Sequence, residues 1–149
     1  MFRGAVRIFR DHPIKGTGLG TMVAVYPRYE TIYDGLVVDH VHNDYLETLA
    51  ETGVAGGLCG VAFLGLLFSE WRSAYTAEQG RFSRGIHAGA IAAVSGLLLH
   101  SLMDFNLHIP SNAMLFLLQA FLATSEPLAA RFRSPQRRGA GREYSAVAG

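Results

Sequence analysis

Cysteine is nearly absent: the 149 residues contain one, Cys59. A disulfide framework is therefore excluded, and Cys59, set inside an apolar run, reads as a small packing residue rather than a nucleophile. Charge is thin too, at 17% of the residues against 50% hydrophobic. The 13 Lys and Arg nearly balance the 12 Asp and Glu, so no nucleic-acid partner is expected. No cleavable signal peptide is legible, because Met1-Phe2-Arg3-Gly4-Ala5-Val6-Arg7 lacks a following apolar core. A polar region ahead of the first apolar span, with no export element before it, reads as the tail of a longer membrane protein.

What is present is hydrophobicity gathered into three stretches, roughly 53–69, 86–103 and 109–124. Each is near the lower length limit for crossing a hydrocarbon layer of about 30 Å. Basic residues then orient the chain. None occurs between Arg28 and Arg72, while the loop after the first stretch carries Arg72, Arg81 and Arg84. The link between the second and third has none, and the tail has Arg131, Arg133, Arg137, Arg138 and Arg142. The positive-inside rule puts 70–85 and 125–149 in the cytoplasm, and His40–Glu51 with Asp104–His108 together on the outer face. The expected fold is an all-α integral membrane protein: a mostly helical outer loop region (1–53), three spans (54–125) and a disordered cytoplasmic tail (126–149).

The richest stretch is His40 to Gly53, with two histidines, several acids and an amide before a glycine-punctuated apolar run. Asp44 with Glu47 has capping-box spacing, which starts a helix near Asn43 or Asp44. Leu46, Leu49 and Ala50 form its apolar stripe, Glu47 and Glu51 share another face, and Gly53 stops it. In the two apolar spans beyond, Gly56/Gly60 and Gly85/Gly89 are spaced to let helices approach closely.

Upstream, residues 2–10 read as an amphipathic helix with Phe2, Val6 and Phe9 on one face and Arg3, Arg7 and Arg10 on another. Pro13 ends it. Gly16-Thr17-Gly18-Leu19-Gly20 is a tight turn or, less well supported, a phosphate nest. Tyr26, Tyr29 and Tyr33 with Arg28 line either a sugar-binding surface or an interfacial belt.

Five of the six histidines fall on the outer side: His12, His40, His42, His100 and His108. A histidine there can take a proton from an attacking hydroxyl, with Glu47 or Asp44 orienting the ring. The competing chemistry is zinc bound by His40 and His42 with His12 or Asp44. The bland alternatives are capping or packing for His40, a helix cap for Asp44, solvated or capping roles for Glu47 and Glu51, and interfacial polarity closing a turn for Asp104, Asn106 and His108.

His-Pro-x-x-Gly-x-Gly at 12–18, Tyr26-Pro27-x-Tyr29, and His42-Asn43-x-Tyr45-Leu46 with Glu51 and Gly53 together resemble the O-antigen ligase and polymerase-like membrane family. Asp104-Phe105-Asn106-Leu107-His108-Ile109-Pro110 before the last span fits as well. The resemblance covers about residues 1–125. It implies a multi-pass enzyme of the bacterial inner membrane that moves a glycan from an undecaprenyl-diphosphate carrier to a hydroxyl of a lipid or protein acceptor. Transfer occurs at the periplasmic face, with no cofactor and no metal. His42 matches the family's base. Arg3, Arg7 and Arg28 are the candidates to hold the diphosphate, with His40 and Asn43 as further substrate-binding candidates. Members carry more spans than three, so the chain reads as a C-terminal portion, with membrane lipids and the N-terminal spans as further partners. The alternative is a non-catalytic remnant or interaction module.

Overall fold

The computed structural model describes residues 1–30 and 40–125. The described residues are helical, with no strand among them. Their order is α1 (Phe2–Asp11), α2 (Met22–Val25), a 3-10 turn (Tyr26–Arg28), α3 (Asp44–Ala77), α4 (Arg81–His100), a second 3-10 turn (Asn106–His108) and α5 (Pro110–Thr124). Tyr33 and the expected disordered tail lie outside the described residues.

Helix α3 is broken at Gly53, whose φ of 64° and ψ of −163° no helix contains. The expected stop is there, but the chain re-enters a helix at once. The glycine loop after α1 explains the break. Thr17 N–H and Gly18 N–H donate to the carbonyls of Ala50 and Glu51, while Val54 and Ala55 donate back to Pro13 and Ile14. Backbone thus lies on backbone. A Cβ on Gly16 would run into the Glu51 main chain, and one on Gly53 into that of Ile14. Both glycines also hold positive φ, which disfavours any other residue. The turn reading of 16–20 holds. The phosphate-nest reading fails, because these N–H groups are taken by α3, and Gly20 N and Met22 N both donate to the Glu51 carboxylate at 2.9 Å.

Two apolar clusters result. The first joins Ala5, Ile8, Met22, Tyr26, Val41 and Ala50. Burying Ile8 completely contributes about 1.5–3 kcal/mol. The inward face of α1 is Gly4, Ala5 and Ile8, and Phe2 on the predicted apolar face stays exposed. Gly4 decides this: the Tyr26 ring lies where a Cβ would be. Tyr26 is consequently a core residue and lines no surface.

The second cluster lies between the later part of α3, α4 and α5, around Leu67, Ala90, Val94, Phe116 and Ala120. α3 and α4 are long and apolar enough to cross a membrane. Leu58, Val61, Leu66, Met114 and Phe121 are each at least 65% exposed, an apolar surface that suits lipid and not water. α5 has 15 residues, about 22 Å at 1.5 Å per residue; it coincides with the third stretch expected but falls short of a hydrocarbon layer of about 30 Å. His87 Nδ1–H donates to the Ala123 carbonyl at 2.8 Å, so α5 ends level with a point six residues into α4. The expected small-residue contacts are not made. Gly60, Gly85 and Gly89 face open space, and Gly56 meets only Thr52 of its own helix. Alanines and Val94 carry the packing instead.

Candidate functional site

The start of α3 and the α4–α5 link meet at one end of this bundle. Asn43 is the N-cap, accepting from Leu46 N at 2.8 Å through Oδ1 while Nδ2 donates to the Leu102 carbonyl at 2.7 Å. Both ends of its amide hold the fold, so the cap is an Asn and not the Asp44–Glu47 box. Asp44 N donates to the Ser101 carbonyl, which fastens the link to the helix a second time.

Asp44 and Glu47 are almost wholly buried, contrary to the solvated or capping roles expected of them. Asp44 Oδ1 accepts from His108 Nδ1 at 2.6 Å, and Oδ2 accepts from Leu107 N at 2.9 Å. Glu47 Oε1 accepts from His40 Nδ1 at 2.7 Å, and Oε2 accepts from Val41 N at 2.8 Å. His108 Nε2 faces the same Glu47 Oε1 at 3.6 Å. Neither acid touches His42.

The partner of His42 is Asp104, 62 residues along the chain, with Nδ1 and Oδ1 at 3.1 Å. Two donors, the Phe105 backbone N–H first and then the His42 ring, hold the Asp104 carboxyl below its usual range. An ionised carboxylate only accepts, so His42 Nδ1 carries a proton, and in the neutral ring Nε2 is the acceptor. His42 is 54% exposed and has φ 52°, the only positive φ among described non-glycine residues. Strain of about 1–3 kcal/mol at such a position is characteristic of functional sites. Phe105 separates the two histidines of the His-x-His pair, stacking on His40 at 4.7 Å and meeting His42 edge-on at 4.9 Å. Among the described residues, no group of potential ligands joins His40 to His42. The His40, Glu47 and His108 ligand atoms, by contrast, all lie within 4.8 Å of one another.

Arg3, Arg7 and Arg28 stand exposed on α1 and the first 3-10 turn. The structure therefore brings together His40, His42 and Asn43 of the sequence-derived site, and leaves the arginines on neighbouring elements. Asp104 is the residue that sequence reasoning left unassigned. Its signal was topological: two loops without basic residues on one side of the spans.

An apolar cavity of about 520 Å³ opens beside this end. It is lined by Asp44, Tyr45 and Thr48 at its polar end and by Leu58, Leu64 and Phe116 along its length.

Residues 1–61 of the 149 match a family model, Wzy_C, described as O-antigen ligase. The matched segment contains α1, the glycine loop, His42 and the first turns of α3. No curated protein and no solved structure matches the chain. Over residues 1–61 the chain is thus similar to O-antigen ligases, and two of its helices are long and apolar enough to cross a membrane.

Proposed function

We propose that this chain is the C-terminal part of an O-antigen ligase-like glycosyltransferase in the bacterial inner membrane, with His42 as its general base. The donor is a glycan on undecaprenyl diphosphate, and the acceptor is a hydroxyl of a lipid or protein. α3, α4 and the short α5 are multi-pass crossings, with the charge pattern placing the His42 end in the periplasm. A locally thinned bilayer accommodates α5.

One observation carries the reading. His42 is held by Asp104 through Nδ1, which leaves an exposed Nε2 acceptor, two residues from Asp44 at the polar end of the apolar cavity. The acceptor hydroxyl gives its proton to Nε2 as its oxygen attacks the sugar's anomeric carbon. The bond from that carbon to the diphosphate oxygen breaks, and its electron pair leaves on the lipid diphosphate. Guanidinium forks stabilise that charge, a role suited to the exposed Arg3, Arg7 and Arg28. Asp104 positions the ring and fixes its tautomer.

The test is glycan transfer in membranes supplied with the lipid-linked donor. His42→Ala is expected to lower the rate by about 10²–10⁴-fold, the usual share of general acid–base catalysis, with membrane insertion unchanged. Undiminished transfer would reject His42 as the base. No transfer by the unaltered chain would favour the non-catalytic module.

A further inference from the structure

We propose that His40, Glu47 and His108 bind a zinc-class divalent cation, which pins the α4–α5 link to the first turns of α3. The site stands whether or not the chain transfers a glycan.

The first ground is an electrostatic mismatch. Asp44 and Glu47 are 3% and 1% exposed, and buried carboxylates need a compensating charge. Among the described residues, the groups that pair with them are histidines. No Lys or Arg lies in residues 29–71 or 85–125, which include every element forming this pocket. One dication balances the two carboxylates while leaving the histidines to act as neutral ligands.

The second ground is the direction of the lone pairs. His108 Nδ1–H is committed to Asp44 at 2.6 Å, so its Nε2 faces Glu47 Oε1 at 3.6 Å. In the neutral ring these are two facing acceptors, and a cation between them satisfies both. A carboxylate holding the far nitrogen of a ligating histidine is the usual support of a zinc-bound imidazole.

The third ground is spacing. Ligand atoms about 2.0–2.2 Å from a four-coordinate zinc stand about 3.4 Å apart. The observed separations from Glu47 Oε1 are 2.7 Å to His40 and 3.6 Å to His108. His40 must retreat by about 0.7 Å on that geometry, and at 31% side-chain exposure it lies at the edge of the cluster. Binding releases the His40 Nδ1 proton. Two nitrogens and one carboxylate oxygen suit zinc and suit magnesium or calcium poorly.

Detergent-extracted protein, purified without chelator, is expected to carry about one zinc per chain by mass spectrometry, as a single such site requires. Stripped protein is expected to melt higher on adding Zn²⁺ and to ignore Mg²⁺. Asp44→Asn keeps the ligands and is expected to weaken zinc binding about 10–100-fold. Glu47→Gln or His40→Asn should abolish it, and His12→Asn, an exposed control, should leave it intact. A metal-free preparation whose melting is indifferent to Zn²⁺ overturns the site, and needs no variant to fold. Stoichiometric zinc that survives both Glu47→Gln and His40→Asn overturns the ligand assignment.

Discussion

Two imidazole–carboxylate pairs lie side by side at the head of α3, and they are built oppositely. His108 and Asp44 are 2.6 Å apart, with the carboxylate buried and its second oxygen satisfied by Leu107 N–H. His42 and Asp104 are 3.1 Å apart and open to solvent, with the histidine in a left-handed backbone conformation. The chemistry of the groups is the same. Burial separates their work: the enclosed pair holds two loops together, and the open one keeps a nitrogen available.

The largest expected effect breaks the enclosed pair. Asp44→Ala leaves His108 and the Leu107 N–H without their acceptor, and we predict a loss of about 3–5 kcal/mol of stability, read as a lowered melting temperature in detergent. A small shift would mean that the pair is not structural. The open pair should respond the other way. Asp104→Asn is expected to lower kcat by about 10²-fold or more through the wrong ring tautomer, with melting temperature and KM little changed. A fall in melting instead of kcat would merge the two pairs into one class.

Asn43 sharpens the boundary between them. Its amide caps α3 and grips Leu102, so Asn43→Ala should cost about 1 kcal/mol of stability and leave KM for the glycan donor alone. A changed KM with unchanged melting would return Asn43 to substrate binding, the role its sequence position implied.

The smallest effect is on pH. The folded Asp104 carboxyl titrates below its unfolded value of about 3.9. Its contribution to stability is therefore present above that value and is lost as pH falls through the lower folded one. The His42–Asp104 bond should persist from neutral pH down to about 4, followed by carboxyl chemical shift. An Asp104 titration above that range would contradict the assignment.

Much of this was legible in the sequence. Charge asymmetry alone put His40–Glu51 and Asp104–His108 on one side, and the two segments do touch. The end of α1 before Pro13 and the break at Gly53 follow from local backbone preference. What stayed hidden depends on contacts between distant segments. Period-3.6 counting puts Phe2, Val6 and Phe9 on one face of α1, yet the notch at Gly4 for Tyr26 sets which face packs inward. Glu47 and Glu51 looked solvated because nothing local announces a buried acid. Their partners, His40 and Val41 for one and Gly20 and Met22 for the other, come from outside the helix. For the same reason the orienting acid of His42 was sought one turn away instead of across 62 residues.

Phe105 carries a consequence of its own. Its ring braces the buried cluster through His40 on one side and the exposed base through His42 on the other. Trimming it to Ala removes both ring contacts at once, so a single substitution loosens the enclosed cluster and the open pair together.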